Sequence, residues 1–280
     1  MINTANLPLY TKSVTKMTNQ DQLKLQVENH VAVLTLNRPE AKNALTLDMK
    51  KGLLEYLPKL ENDPDIRCIV LTGAGNAFCA GGDTKNMAKD GKPVSYEDRV
   101  QQLHWEHRIP LLLHSIPKPT LAVLPGPAAG AGFALALACD LRIAADTAFV
   151  ITAYANLGLA GDYGSSWFLP RLVGDAKAKE LFFSPERLSA EKCLELGIVN
   201  RVTKKDDLLE QAMAWATQLA EGPPIAYRYM KDNINQSWNS SLEEHLSVEA
   251  ERMVQSAQTN DYVEAVKAFS EKRKPKFSAS

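Results

Sequence analysis

The chain has 280 residues, of which 45% are hydrophobic and 23% charged, and these proportions exclude a disordered or fibrous protein. Lysine and arginine total 32 against 33 for aspartate and glutamate, which gives a formal net charge of −1. Such a balance excludes the broad basic face that nucleic-acid or membrane-surface binding requires, although it permits a small basic pocket for one phosphorylated ligand.

Strands and helices alternate along the first three-quarters of the sequence. Residues 30–36 predict a strand because apolar and β-branched residues fill the run, and a turn at Asn-Arg-Pro follows. The other predicted strands are residues 65–72, 120–124, 141–145 and 197–202. The predicted helices are residues 45–60, 98–115, 130–139, 164–173, 175–183, 189–196 and 205–220. This alternation predicts an α/β fold with largely parallel strand pairing.

The chain divides into three predicted parts, a polar N-terminal extension at residues 1–20, an α/β core at 21–205 and a helical region at 206–280. The helical region needs a surface on which to pack, either its own core or another subunit. Gly91 and Pro93 indicate a mobile loop at residues 90–95. Within the helical region, helices are predicted at residues 224–235, 241–258 and 261–272.

Cysteine spacing predicts neither a disulfide framework nor a metal site. The chain has four cysteines and five histidines, and they form no zinc-binding pattern. Buried, reduced thiols indicate a reducing compartment. The longest apolar stretch, residues 121–137, contains two prolines and several glycines, so it predicts no membrane span. Residues 1–20 lack the apolar core of a secretory signal. We therefore expect a cytoplasmic protein without a membrane partner.

Two glycine-rich segments are candidate backbone sites. Residues 78–83 (FCAGGD) follow a predicted strand, and residues 126–132 (GPAAGAG) precede a wholly apolar helix. A helix N-terminus presents unpaired N–H groups and the positive end of the helix dipole. Two such donors facing one pocket would stabilise an oxyanion. The alternative is that each segment is a tight turn and nothing more.

The order and spacing of seven segments resemble the crotonase (enoyl-CoA hydratase/isomerase) superfamily, over about residues 22–277. The segments are residues 37–45, 78–83, 118–119, 126–132, 139–140, 169–174 and 269–273.

The resemblance implies a spiral of ββα units at residues 21–205, followed by a C-terminal helical trimerisation region. It implies acyl-CoA thioester substrates, a homotrimer or homohexamer, and no cofactor, because coenzyme A belongs to the substrate. By motif position, the family's oxyanion-hole N–H groups fall on Gly82 and Ala131. Ala131 stands where glycine is more usual, and its N–H remains available if its φ angle is negative.

The resemblance also implies a coenzyme A site. The adenine and pantetheine would lie along Arg38, Ala41, Ala80 and Asp83, and Lys272 would reach a phosphate, often on a neighbouring subunit. The alternative for Lys272 is a solvated basic tail.

Both carboxylates of the family's hydratases are absent. The positions that carry them correspond here to Ala134 and Tyr154. Alanine transfers no proton, and tyrosine with an ordinary pKa near ~10 is a poor base at neutral pH. Hydration by the standard pair is therefore not expected, and Tyr154 is expected to contact the substrate.

One carboxylate remains in this region, Asp162, eight residues after Tyr154. Its offset is similar to that of the aspartate in dienoyl-CoA isomerases, in ring-opening isomerases of phenylacetate breakdown and in 4-chlorobenzoyl-CoA dehalogenases. Asp162 is accordingly the predicted catalytic acid/base. The alternative is an N-cap, because a predicted helix follows directly, and both roles can coexist.

The dehalogenases also use a histidine on the helix before the Lys-Pro strand. Counting back from Pro119 gives His107 as the possible accessory residue, with His104 and His114 close enough to confuse the assignment. Glu106 lies about 100° from His107 around the helix, so it is left out of the predicted site.

The leading hypothesis is an isomerase that moves a proton along an enoyl-CoA with Asp162 as base and acid. The alternatives are an atypical hydratase, a hydrolase or a dehalogenase that uses Asp162, and a non-catalytic acyl-CoA-binding protein. Large residues hint at a short, cyclic or aromatic acyl group. These candidate pocket residues are Tyr154, Tyr163, Phe133, Trp167 and Met87.

Overall fold

A computed structural model describes residues 22–83 and 95–280. The predicted extension at residues 1–20, Met87 and nearly all of the predicted loop at 90–95 lie outside the described residues.

The strands and helices alternate as the sequence predicts. The strands are β1 (Leu23–Glu28), β2 (Val31–Leu36), β3 (Cys68–Gly73), β4 (Thr120–Leu124), β5 (Ala128–Ala129), β6 (Leu141–Ala145), β7 (Phe149–Ile151), β8 (Leu188–Ser189) and β9 (Arg201–Thr203). The helices are α1 (Leu47–Asn62), α2 (Tyr96–Ser115), α3 (Ala131–Ala138), α4 (Ser165–Val173), α5 (Asp175–Phe183), α6 (Ala190–Glu195), α7 (Leu208–Ala220), α8 (Pro224–Gln236), α9 (Leu242–Ala257) and α10 (Asn260–Ser270).

The described strands form a six-stranded sheet in the order β1-β2-β3-β4-β6-β9, and β5, β7 and β8 form a small second sheet. Pairing is parallel from β2 to β9, and β1 joins β2 as an antiparallel edge. β4 is buried at every residue, and β3 and β6 at nearly every one, as expected for parallel strands covered on both faces. The α/β class predicted from the sequence is confirmed.

Four strands were not predicted: β1, β5, β7 and β8. The alternation of apolar and polar residues in β1 (LKLQVE) is typical of a strand and was overlooked, whereas the other three are only two or three residues long. The predicted strand at residues 197–202 is shorter, because β9 begins at Arg201.

Helix α3 lies at the centre of the molecule and all eight of its residues are buried. A helix that is apolar on every face can be stable only inside a protein. Helices α2 and α4 pack on either side of it, and α1 packs against α2. Because α3 connects β4 to its parallel neighbour β6, it begins at the carboxyl ends of these strands and ends at their amino ends.

Large apolar side chains are exposed along α8, α9 and α10. The exposed fraction reaches 88% at Phe269, and Trp238, between α8 and α9, is 64% exposed. The others above 50% are Met230, Ile234, Leu242, Leu246, Met253, Val254, Val263 and Val266. Exposed apolar side chains in such number favour an interface with another protein surface.

The four cysteines are free and buried, as their apolar surroundings predict. Burial raises the pKa of each thiol to about 12. Among the described residues, no helix combines the length and apolar character that a membrane crossing needs.

Candidate active site

The buried side chain of Asn43 joins the first motif segment to the loop that precedes the second. Its amide nitrogen donates to the carbonyl oxygens of Ala74 (2.9 Å) and Ala77 (2.8 Å), and its oxygen accepts from the Arg38 amide (2.8 Å). Asn43 has a φ of 57°, a left-handed conformation that asparagine tolerates. These bonds hold the loop after β2 against the loop after β3, at the carboxyl ends of both strands.

The first glycine-rich segment, residues 78–83, approaches this loop through Gly81 and Gly82. Gly82 forms a parallel β-bridge with Leu45, and the Gly81 carbonyl accepts from the Leu45 amide at 2.8 Å. Gly81 has a φ of 96°, and a Cβ there would lie 2.9 Å from the Ala129 oxygen and 3.6 Å from the Ala131 nitrogen. The segment that carries Gly82 therefore lies directly beside the N-terminus of α3.

Ala131 is the first residue of α3, so its N–H has no acceptor within the helix. Its backbone is helical, which satisfies the condition set by the substitution of glycine. Gly132 permits the close approach, because a Cβ on it would lie 2.3 Å from the Cys79 carbonyl oxygen. The predicted donors Gly82 and Ala131 thus belong to neighbouring segments, and their oxyanion-hole role stays a prediction.

His107 and Asp162 lie in direct contact, with 2.5 Å between His107 Nε2 and Asp162 Oδ1. Their side chains are 40% and 28% exposed, so both reach the surface of the site. His104 is exposed elsewhere on α2, and His114 contacts the rings of Trp167 and Phe168. Of the three candidate histidines, His107 is the one placed beside Asp162.

The side chain of Asp162 does not cap helix α4. The N-cap residue is Gly164, with a φ of 76° and no side-chain cap. Asp162 Oδ1 instead accepts from the Tyr163 amide at 2.9 Å, and its carbonyl oxygen accepts from Ser165. Within the described ranges Asp162 Oδ2 has no hydrogen-bond donor. The alternative interpretation as an N-cap side chain is therefore wrong.

Tyr154 connects Asp162 to the N-terminus of α3. Its hydroxyl donates to the Asp162 carbonyl oxygen at 3.2 Å, and its ring lies 3.9 Å from a Cβ built on Gly130. Burial raises the pKa of Tyr154 to about 12, so its hydroxyl stays protonated and cannot act as a base at neutral pH. Ala134 is buried within α3. Neither hydratase position supplies a proton-transfer group.

Glu106, which the sequence analysis left out of the predicted site because of its helical phase, is buried beside that site. It is 3% exposed, pairs with Lys50 Nζ at 2.7 Å, and accepts from the Tyr163 hydroxyl at 3.0 Å. The signal was present in the sequence, because Glu106 shares its face of α2 with the buried residues Ile109 and Leu113.

The residues predicted to line the acyl pocket differ in position. Phe133 and Tyr163 are buried, and the Tyr163 ring packs against the His107 ring. Trp167 lines a cavity of about 530 Å³ with His114, at the far end of α3. Among the described residues, no cluster of histidine, cysteine or acidic side chains could hold a metal ion.

The predicted coenzyme A residues Arg38, Ala41, Ala80 and Asp83 lie on adjoining loops. Arg38 Nη1 contacts Asp83 Oδ2 at 3.0 Å and donates to the Ala44 carbonyl. Ala80 is exposed, and its amide donates to the Lys42 carbonyl at 2.9 Å. The Asp83 carboxylate thus offsets part of the Arg38 charge that was assigned to the nucleotide.

Lys272 is exposed and, among the described residues, forms no ion pair, whereas Arg273 pairs with Glu264 and Glu271. The tail that follows is anchored by Phe277, whose carbonyl accepts from Arg67 just before β3. This anchor lies at the amino end of β3, opposite to the end that carries Gly82.

Comparison with known proteins supports the resemblance to the crotonase superfamily. The Enoyl-CoA hydratase/isomerase family matches residues 26–280. The chain is 36% identical to the 1,2-epoxyphenylacetyl-CoA isomerase of Escherichia coli, over 90% of this chain and 96% of that protein. It is 34% identical to the trans-2-decenoyl-[acyl-carrier-protein] isomerase of Streptococcus mutans, over 92% of this chain and 98% of that protein.

Solved structures agree with the sequence comparisons. An enoyl-CoA hydratase from Polaromonas sp. JS666 matches with a TM-score of 0.87 at 36% identity, covering 91% of this chain and 99% of that one. The predicted crotonase fold is thereby confirmed. The chain belongs to the enoyl-CoA hydratase/isomerase (crotonase) family.

Proposed function

We propose that this protein is an enoyl-CoA isomerase that uses Asp162 to move a proton between two carbons of an unsaturated acyl thioester. The observation that carries the proposal is the environment of Asp162. Its Oδ1 is fixed by His107 and the Tyr163 amide, while its partly exposed Oδ2 has no donor in the described part of the chain. One oxygen is thus positioned and the other is available to substrate.

The proton transfer needs one carboxylate and a stabilised oxyanion. Asp162 would remove a proton from the γ-carbon of a 2-enoyl thioester, and the electrons would shift to form a dienolate. The N–H groups of Gly82 and Ala131 would hold the thioester oxygen, where the negative charge collects. Asp162 would then return the proton to the α-carbon, so that no atom is gained or lost.

The absence of a second proton-transfer group supports isomerisation over hydration. Hydration requires activation of water and protonation of the α-carbon, for which the family's hydratases use two glutamates. Here Ala134 and the protonated Tyr154 occupy those positions. Two of the relatives are named as isomerases, which is consistent with this chemistry although it does not identify the acyl group.

A turnover screen tests the proposal directly. Crotonyl-, 3-enoyl-, dienoyl- and aryl-CoA thioesters would be incubated with the protein and the products separated before mass spectrometry. We expect a product of unchanged mass and altered retention time. Gain of one water would identify a hydratase and overturn the proposal, and loss of coenzyme A would identify a hydrolase. Tight thioester binding without turnover of any substrate would favour a non-catalytic binding protein.

The contact between His107 and Asp162 favours a second candidate, hydrolytic displacement on an aryl thioester, as in a dehalogenase. Asp162 would attack the ring carbon and expel the halide, and water activated by His107 would cleave the resulting ester. Each cycle in H₂¹⁸O would then leave a heavy oxygen in the Asp162 carboxylate. Isomerisation leaves this carboxylate unlabelled, so mass spectrometry of the peptide that contains Asp162 separates the two candidates.

A homotrimer or homohexamer is the assembly that we propose. Exposed apolar side chains on α8, α9 and α10 favour burial against another copy. Because Phe277 anchors the tail at the amino end of β3, a phosphate contact by Lys272 is best supplied to a neighbouring subunit. Light scattering after size-exclusion chromatography measures the mass, and a monomer would contradict the assembly.

Lys272→Ala tests the phosphate contact. We expect it to weaken binding of a coenzyme A thioester by about fivefold to tenfold, the loss of one ion pair with a phosphate. Binding of the dephospho-coenzyme A thioester should change little, because the 3′-phosphate is already missing. Lys274→Ala is the matched control on the same exposed tail. Equal losses for both thioesters would remove the assigned contact.

A further inference from the structure

A buried chain of three side chains lies behind the Asp162–His107 pair. Lys50 on α1 pairs with Glu106 on α2 at 2.7 Å, and the Tyr163 hydroxyl donates to the same Glu106 oxygen, Oε2, at 3.0 Å. Gln102 donates to the other oxygen at 2.9 Å. Lys50, Glu106 and Tyr163, here called the buried brace, are each less than 10% exposed.

Tyr163 contacts both members of the pair. Its amide donates at 2.9 Å to Asp162 Oδ1, the oxygen that also contacts His107 Nε2. Its ring meets the His107 ring edge to face, with 5.7 Å between centroids and an interplanar angle of 74°. A shift of the Tyr163 backbone or ring would therefore move the carboxylate and the imidazole together.

The backbone of Tyr163 is held in an uncommon conformation. Its φ is 53°, in the left-handed region that bulky residues rarely adopt and that persists only when surrounding contacts enforce it. The ring is 1% exposed and its hydroxyl bonds to a residue fixed by an ion pair. Burial and the nearby Glu106 carboxylate raise the pKa of Tyr163, so the hydroxyl remains a donor throughout the physiological range.

We infer that Tyr163, held by the Lys50–Glu106 ion pair, is a positioning residue that sets the geometry of the Asp162–His107 pair for proton transfer. The inference rests on the proposed function of Asp162. The contribution is made through position, because the Tyr163 hydroxyl is bonded to Glu106 and stays protonated. A small displacement of a reacting group can cost up to about 10²-fold in rate, so such a brace affects turnover more than binding.

Tyr163→Phe removes only the hydroxyl and is the principal test. We expect kcat to fall by about tenfold while KM stays within about twofold, because the acyl-CoA contacts are unchanged. Tyr227→Phe, which removes a hydroxyl from the distant cavity beside His114, is the matched control and should leave both constants unchanged.

A spectroscopic readout keeps the test independent of turnover. Long-range ¹H–¹⁵N correlation spectra report the hydrogen bonding of the His107 ring nitrogens, and His107→Gln identifies the signal. We expect the Nε2 resonance of Tyr163→Phe to move toward its position in Asp162→Asn. If the wild-type protein turns over no thioester, or if Asp162→Asn stays active, the proposed function fails, and the resonance still decides whether Tyr163 positions the pair.

A second variant covers the case in which Tyr163→Phe does not fold. The double substitution Lys50→Met with Glu106→Gln removes both buried charges together and keeps an acceptor for the Tyr163 hydroxyl. We expect a smaller fall in kcat, about threefold, with the same direction of change at His107. If every folded variant of the brace shows wild-type kcat and an unmoved His107 resonance, the inference is overturned.

Discussion

A histidine and an aspartate lie near each end of helix α3, but the groups that bind the two aspartates differ. His107 and Asp162 lie at the carboxyl ends of the parallel strands and are here called the carboxyl-end pair. They contact each other and are partly exposed. Asp140, Lys231 and His114 lie around the last residues of α3, at the amino ends of the strands, and are here called the amino-end cluster. The two histidines lie seven residues apart on one face of α2, about 10 Å along its axis.

The difference lies in how each carboxylate is occupied. Asp140 Oδ2 accepts from the Thr120 amide, the Thr120 hydroxyl and Lys231 Nζ, all within 2.9 Å, so it joins β4 to α8. Asp162 instead contacts the His107 ring and the amide of the adjacent Tyr163, and it forms no ion pair with a lysine or arginine of the described residues. Similar residue types thus serve tertiary structure at one end, and at the other they leave a group that can act on a ligand. A carboxylate whose charge no buried lysine neutralises is the better candidate for accepting a proton.

The largest expected effect comes from Asp162→Asn. The amide keeps the size of the side chain but cannot take a proton, so kcat should fall by at least about 10³-fold while thioester binding persists. Steady-state kinetics and isothermal titration measure the two quantities. Turnover within tenfold of wild type would contradict every mechanism that uses Asp162. It would also show that Asp162 is no more important for turnover than Asp140.

Asp140→Asn should show the opposite behaviour. It leaves the Lys231 ammonium, 9% exposed, without its anion, and we expect a loss of about 2 kcal/mol in the free energy of unfolding with kcat unchanged. Denaturant titration measures the loss.

The matched control is Asp146→Asn, which breaks an equally short but exposed ion pair with Lys204 and should produce no measurable change. A fall in kcat without loss of stability in Asp140→Asn would show that the amino-end cluster takes part in turnover.

The sequence predicted the larger elements well, because their periodicity records burial. Strands β4 and β6 have the predicted bounds, and so does α5. Strands β5 and β8, of two residues each, carry no period, since pairing with distant residues alone defines them. Edge strand β1 was missed although its sequence, LKLQVE, has the period-two alternation of a half-buried strand.

The sequence predicted which residues belong to the candidate site, but it did not predict the contacts between them. The resemblance to known family members selected Asp162 and His107, and their 2.5 Å contact depends on side-chain orientations that an alignment of positions does not contain. Glu106 was set aside because its phase was compared with His107 alone. Its buried neighbours Ile109 and Leu113 on the same face would have placed it inside.

The smallest expected effect concerns the pH dependence of stability at His114. Desolvation lowers the pKa of His114 below its ordinary value of 6.5, and Lys231 and Arg171 lower it further while Asp140 opposes them. Below about pH 6.5 the unfolded chain therefore binds a proton that the folded chain resists, so acid reduces the free energy of unfolding.

His114→Phe cannot titrate, and its aromatic ring suits a cavity that Trp167 and Phe168 also line. The difference in free energy of unfolding between His114→Phe and wild type should therefore shift in favour of the variant when the pH is lowered from 8 to 5. Urea midpoints at both pH values measure this shift. His114→Gln has a different baseline but should show the same pH trend, because it also lacks the titrating group. If the difference between wild type and both variants is the same at the two pH values, protonation of His114 has no role in stability. The amino-end cluster would then contribute to the fold through packing and its ion pair alone.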